Sequence, residues 1–512
     1  MSENKRIAKN AMMLYLRMFI SVIVSLYTSR IVLQVLGVED YGVYNVVGGV
    51  VAMLSFLNAS MSGATSRFLN IELGRGSEKS MKDTFASALI VHIGIALIAF
   101  LATETVGYYF VTHKLVIAPE RMQAAFWVYQ FSILSMIVGV IRVPYMACVM
   151  AHERMSFYAY MDLLNVFLKL GAIFILQVGE ADKLILYAIL VLGVEIVTTT
   201  LYYIYSCRNF LESRFNWTWS PEILRSMLSF SSWSVMGSLS DIGSTQGNNF
   251  LLNFFFGTAL NAANGIAITV QGILKAFAFN VITAFRPQVV QRYAEGQIDS
   301  MQTLMEYSAL FATATYALLS IPLFFEADYV LHLWLGVVPP YTALFLRLTL
   351  IANVIAINYT LFSVAIGAVG KVKWLNIASS TSTLLPLAII YTLYRCDGRP
   401  VWGYVFSILS AIAIFIANFV LMKHYIPMFQ MKKFFRKTLL SLLLPVTLSL
   451  GTGLLITYYM EESFIRLLVT IMMTICVFAS SLYFLAFSNK ERALTRSYVA
   501  QRLTFLFKRK KI

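Results

Sequence analysis

The chain has 512 residues, 59% of them hydrophobic and only 13% charged, with a mean hydropathy of +0.73. Water-soluble domains average roughly 45–50% apolar and about 25% charged, so the apolar excess here is assigned to lipid and a soluble globular protein is excluded. The net charge of +15, from 40 basic and 25 acidic residues, would suit nucleic acid. Its cations, however, lie in short links between apolar runs and form no soluble basic face, so no nucleic-acid partner is expected.

Lys5, Arg6 and Lys9 precede the first apolar run in the manner of a secretion signal. The run is too long for one, Arg17 interrupts it, and no small-residue cleavage site follows before Gly37; it reads as a retained first helix. An apolar run of roughly 20 residues crosses the hydrocarbon once as a helix. Fourteen spans are predicted, at about 11–36, 42–66, 84–110, 122–148, 156–178, 184–206, 227–255, 259–285, 304–325, 341–367, 373–394, 400–422, 438–460 and 464–487. The expected fold is all-α integral membrane, with 14 transmembrane helices.

Spans one and two meet at the tight turn Gly37-Val38-Glu39-Asp40-Tyr41-Gly42, and the pair exits through Arg67, Arg75, Lys79 and Lys82. A second copy of this hairpin begins near Ser229. Gly37 and Gly257 stand at the same separation as Gly76 and Gly296, while Arg67 and Arg286 miss that offset by one. Spans six apart begin on the same membrane side, so the repeat is parallel, about an axis along the bilayer normal. Two pseudo-symmetric six-helix lobes around a central cavity are expected, residues 1–206 and 207–423. Two extra apolar helices follow in 424–487, then a basic tail in 488–512.

With the N-terminus inside, most of the 40 basic residues fall on cytoplasmic links. The outer links hold only Lys114, Arg121, Lys183, Arg395, Arg399 and Arg466, and acidic residues show no such bias. An even number of spans returns the C-terminus, with Lys508-Arg509-Lys510-Lys511, to the cytoplasm. The largest outer link carries Leu333-Trp334-Leu335-Gly336 before Pro339-Pro340, which predicts a short interfacial helix with its Trp at headgroup level.

Cys148, Cys207, Cys396 and Cys476 show no metal-ligand spacing, and only Cys396 falls outside, so neither a metal nor a structural disulfide is expected. Histidine is scarce, no phosphate-cradling glycine loop or catalytic triad is visible, and the outer links are too short to present an acceptor sugar. A glycosyl polymerase or ligase is therefore not expected, nor any other enzyme.

The candidate site rests on charge at depth. An ionised side chain in hydrocarbon costs about 2.5–3.5 kcal/mol or more, so it faces protein or water. Six in-span cations (Arg17, Arg30, Arg142, Lys169, Lys275, Arg347) stand against four acids, Glu104, Asp162, Glu195 and Asp241. Asp162, Asn165 and Lys169 share one helix face; they form either a cavity-facing cation with a tuning carboxylate or a structural network. Asn264, Gln271 and Lys275 repeat the pattern, with Lys275 near mid-depth. Arg30 and Arg347 lie near the outer surface, where long side chains also reach headgroups. Arg142 is similar on the inner side, beside Pro144. Span seven is polar throughout, with Ser240, Asp241, Gln246, Asn248, Asn249 and Asn253. It must line water or unwind locally. Glu195 and Asp241 are candidates either for H⁺ or Na⁺ coupling or as partners of the buried cations. A cavity biased positive suits an anionic cargo such as a diphosphate, which Arg and Lys bind by charge-assisted hydrogen bonds.

At Ser29-Arg30, Leu36-Gly37-Val38-Glu39-Asp40-Tyr41-Gly42 and Leu333-Trp334-Leu335-Gly336 the chain resembles the bacterial polysaccharide repeat-unit flippases. These are the O-antigen and capsule exporters of the multidrug/oligosaccharidyl-lipid/polysaccharide superfamily. The resemblance implies two lobes opening alternately, carrying an undecaprenyl-diphosphate-linked oligosaccharide across the inner membrane for surface polysaccharide or lipopolysaccharide synthesis, alongside polymerase and glycosyltransferase machinery. It further implies that Arg17, Lys169 and Lys275 hold the diphosphate, as basic lumen residues do in the related lipid II flippases, and that spans 13 and 14 shape a groove for the lipid tail. The alternative within the superfamily is a cation-coupled multidrug antiporter. The first helix lacks the carboxylate that many multidrug members use, and position 249, Asp in some polysaccharide exporters, is Asn249.

Overall fold

The computed structural model describes residues 3–54, 61, 65, 68–69, 72–73, 78–152, 154–177, 181–214, 220–487 and 492. Among them every regular element is helical. The long helices are α1 (Glu3–Ala52), α2 (Glu78–His113), α3 (Met122–Ala151), α4 (Met155–Leu176), α5 (Lys183–Asn209), α6 (Pro221–Phe256) and α7 (Thr258–Ala294). Then come α8 (Ile298–Phe325), the short α9 (Ala327–Leu335), α10 (Thr342–Val369), α11 (Val372–Asp397), α12 (Trp402–Tyr425), α13 (Met431–Tyr459) and α14 (Phe464–Ala486).

Twelve helices among the described residues are long and apolar enough to cross a membrane, against the fourteen spans expected. The difference lies at two places. The segment Phe19–Ala52 runs through Gly37 and holds most of the first expected span with the start of the second. The remainder of the second, to residue 66, lies largely outside the described residues, and the polar α6 is not among the twelve. Many side chains that face outward are apolar: Leu97, Ile98 and Leu101 on α2 and Leu443, Leu444 and Leu448 on α13 all stand exposed. A surface of that kind matches hydrocarbon, where backbone polar groups must be satisfied within each helix.

The chain divides into two compact units. One comprises Met1–Ile268, Trp334–Phe345 and Asn376–Phe406; the other comprises Thr269–Leu333, Leu346–Leu375 and Ser407–Ile512. In the first, α3 packs along α5, α1 along α4, and α2 against α3. Leu69, Phe85, Tyr145, Cys148, Tyr202 and Phe210 fill one core there. In the second, α13 and α14 pair and dock on α8 through Leu310, Ile321, Leu442 and Phe478. The Phe325 ring occupies the space a β-carbon on Gly453 would need, so α13 approaches α8 closely at that glycine.

The repeated hairpin is visible in the backbone. Gly37 breaks α1 with φ 80° and ψ 171°, and Gly257, between α6 and α7, has φ 79° and ψ −172°. That region of backbone space is open essentially to glycine alone, which explains why the residue recurs at the matching place. The two turns touch. The Thr258 carbonyl fills the space beside Gly42, and the Asn45 amide fills the space beside Gly265. Asn45 and Gly265 are separated by the same offset as Gly37 and Gly257, so equivalent positions of the two copies meet face to face.

The short helix expected near Trp334 is α9, closed by Gly336 at φ 77°. Its tryptophan is held by protein: the Trp334 indole N–H donates to the Leu26 carbonyl at 2.7 Å, and Gln34 donates to the Leu335 carbonyl at 3.2 Å. α9 is thereby tied to the half of α1 that precedes Gly37.

Candidate functional site

A cavity of about 610 Å³ lies within the first unit among α1, α3 and α5. Small residues make the room. Gly48, Ala52, Gly139 and Ala188 line it, and a β-carbon on Gly48 or Gly139 would meet open space. Tyr44, Ser132, Ser135, Arg142 and Glu195 supply its polar wall. Pro144 in α3, one turn past Val140, removes a helix N–H and leaves the Val140 carbonyl unpaired by the ladder on the same wall.

Charge in this region converges on Glu195 of α5. Arg142 Nη1 donates to its Oε2 at 2.7 Å and to Thr198 Oγ1 at 3.0 Å. Lys169 Nζ, from α4, stands 3.6 Å from Oε1. Two cations therefore share one carboxylate, and the cluster keeps a formal charge of one positive unit. Asp162, two turns before Lys169, accepts from Ser21 Oγ at 3.2 Å, and Asn165 is half-buried on the same helix.

The other expected residues are distributed more widely. Arg30 is half-buried on α1, and the Arg17 side chain lies outside the described residues. Asp241 is exposed on α6. In the second unit, Gln271 donates to Asn353 Oδ1 at 3.2 Å, and Lys275 lies over the Phe279 ring at 5.2 Å. Arg347 bonds Asp328 Oδ2 at 2.6 Å and the Phe324 carbonyl at 2.9 Å, which ties α10 to the end of α8 and to α9.

Asn249 and Asn253 of span seven enter a buried amide network with Asn261 and Asn264 of α7, and none of these four lines the 610 Å³ cavity. Asn261 donates to both the backbone and side-chain oxygens of Asn249 at 2.7 Å, and Asn264 adds a third bond at 3.1 Å. Tyr404 Oη donates to Asn264 Oδ1 at 2.6 Å. Asn253 donates to Asn261 Oδ1 at 3.0 Å and exchanges two bonds with the Val116 backbone. The Asn248 amide oxygen is buried without a partner and rests against Gly403. Close approach of α6 and α7 lets the Asn249, Asn253, Asn261 and Asn264 amides bond one another within the protein.

Two ionic clamps fall outside the sequence expectations. Arg121 bridges Asp40 (2.6 Å) and Asp182 (2.6 Å), joining the turn after Gly37 to the start of α5. Asp182 also caps α5 by accepting from the Leu184 and Ile185 N–H groups. Burial works against its ionisation, but the Arg121 and backbone hydrogen bonds outweigh burial and hold the Asp182 carboxyl below its ordinary value. In the second unit the wholly buried Glu326 receives Arg466 Nη2 at 3.0 Å and Thr470 Oγ1 at 2.8 Å. The signal for both was the presence of opposite charges on outer links, but sequence gives no distance between links so far apart.

No protein-family model and no curated protein sequence matches the chain. Solved structures do. The lipid II flippase MurJ in an inward closed conformation superposes with a TM-score of 0.69 at 13% identity, over 91% of this chain and 97% of that one. An inward-facing multidrug resistance MATE family transporter of the MOP superfamily gives 0.61 at 15% identity, over 78% and 95%. The MATE multidrug transporter DinF-BH in complex with R6G gives 0.63 at 13% identity, over 83% and 96%. The chain has the fold of these transporters. It is a multi-pass membrane protein of that architecture.

Proposed function

We propose that the protein is a secondary transporter that flips an anionic undecaprenyl-diphosphate-linked oligosaccharide across a bacterial cytoplasmic membrane by alternating access, for surface polysaccharide synthesis. The observation that carries this reading is the cluster at Glu195, where Arg142 on the cavity wall and Lys169 from α4 share a single carboxylate. An anionic headgroup entering the cavity meets a fixed excess of positive charge, and charge-assisted bonds to diphosphate oxygens replace its lost hydration. The polyprenyl chain stays in lipid throughout, which avoids a transfer cost of about 0.8 kcal/mol per CH₂. The six-plus-six-plus-two division of the helices, the cytoplasmic placement of both termini and the partnership with polymerase and glycosyltransferase machinery belong to this proposal.

The experiment is complementation of a flippase-deficient strain with Lys169→Ala and Lys275→Ala variants. Surface polymer should be lost while the protein stays at normal abundance in the membrane. Full polymer from both variants would remove these lysines from the mechanism.

The multidrug antiporter reading is favoured by one specific observation: Glu195 places a carboxylate on the cavity wall. Glu195→Gln separates the two. An antiporter loses proton-driven efflux in that variant, whereas the flippase retains polymer export with a more positive cavity.

A further inference from the structure

Below the cavity, where α3 ends, Cys148 and His152 project from one helix face a turn apart. The turn Leu211–Ser213 that follows α5 brings Glu212 against them. His152 Nε2 lies 2.5 Å from Glu212 Oε1, Cys148 Sγ donates to the same oxygen at 3.5 Å, and all three donor atoms fall within 4.8 Å of one another. Cys148 and Glu212 are buried, and His152 is partly open to solvent. We propose that Cys148, His152 and Glu212 form a binding site for a divalent zinc-type cation.

The chemistry of the three donors is the first argument. Thiolate, imidazole and carboxylate together are the donor set of Zn²⁺, and they suit neither Mg²⁺ nor Ca²⁺, which take oxygen ligands. Spacing is the second. Zn–S of about 2.3 Å and Zn–N or Zn–O of about 2.0 Å at tetrahedral angles set S···O at about 3.5 Å and N···O at about 3.3 Å. The first separation is already present, and the second needs the His152–Glu212 pair to open by less than about 1 Å. Orientation is the third. The His152 ring stacks on Phe210 with centroids 4.2 Å apart and planes within 9°, so its rotation is restricted. The open side of His152 leaves a fourth position for water.

A cation there would tie the end of α3 to the turn after α5, the two helices that supply Arg142 and Glu195 to the cavity wall. Metal occupancy would then brace that wall against relative sliding. The inference does not depend on the cargo.

The test uses the full-length protein in detergent micelles, purified without a polyhistidine tag. Added Co²⁺ serves as the optical probe, and Zn²⁺ as the competing ion. One Co²⁺ per chain should give a thiolate-to-cobalt charge-transfer band that Zn²⁺ displaces. Cys148→Ser should abolish the band, and His152→Gln should weaken Co²⁺ binding at least tenfold. Cys476→Ser, at an exposed position on α14, should leave the band unchanged. Because a variant could misfold, a second reading uses the unaltered chain: Zn²⁺ should raise its thermal midpoint by several degrees. Absence of a stoichiometric band, or a band that survives Cys148→Ser, would overturn the site, as would a thermal midpoint indifferent to Zn²⁺.

Discussion

Arg142 has two partners on α5, and its loss has a different consequence from loss of the carboxylate. Without the guanidinium, Glu195 keeps only Lys169 at 3.6 Å, and the cluster becomes formally neutral. Arg142→Ala is therefore expected to lower export of the lipid-linked cargo at least tenfold at unchanged abundance, with partial recovery in Arg142→Lys, measured as surface polymer per unit of membrane protein. Asp182 carries a separate expectation. A carboxyl held below its ordinary value contributes stability that is complete above the unfolded value of about 3.9 and is lost as pH falls through the lower folded value. The Asp182 contribution to the thermal midpoint should thus fall as pH drops below about 4, and Asp182→Asn should remove that contribution. Asp40 on the same arginine, its carboxyl raised by burial, adds no such loss. Since Asp182 and Arg121 are partly exposed, the variant should cost about 1–2 kcal/mol near neutral pH. Sequence made the cations at depth legible, because charge inside an apolar run is conspicuous. It did not show that Lys169 and Arg142 share Glu195, because helical spacing relates residues within one helix and says nothing of which helices are neighbours.

At the scale of elements, the kinks at Gly37 and Gly257 are the clearest link from residue type to architecture. Gly37→Ala and Gly257→Ala each place a β-carbon in a conformation reserved for glycine, and each should cost about 1–3 kcal/mol. Thermal unfolding in detergent, followed by intrinsic fluorescence, measures both. The clamp on α14 makes the opposite kind of demand. Arg466→Ala would leave Glu326 buried without its cation, at a cost of about 3–5 kcal/mol, read as a lower midpoint and faster proteolysis near α13 and α14. Turns were legible because glycine, proline and offset are written in order along the chain. The amide network around Asn249 was not, because a polar helix reads alike whether its partners are water or other asparagines. Only the contacts with Asn261 and Asn264 decide between them.

For the whole molecule the solvent is hydrocarbon, and the exposed face of α13 follows from that. Leu448 stands exposed in mid-helix; Leu448→Arg should lower the membrane-inserted yield by an amount matching about 2.5–3.5 kcal/mol, while Leu448→Ala should leave the yield nearly unchanged. Immunoblots of membrane fractions distinguish the two. The helical class and the positions of nearly all spans were legible because hydropathy over 20 residues is a strong signal. The count among the described residues is lower because most of the second expected span beyond Leu54 lies outside them and because α6 is too polar to qualify. The meeting of Asn45 with Gly265 carries a consequence for which residues each position can accept. Where two positions at matching places in the hairpins come face to face, a side chain on both would collide. The amide of Asn45 takes the room and Gly265 has no side chain, so an exchange that made the two positions alike would push the hairpins apart.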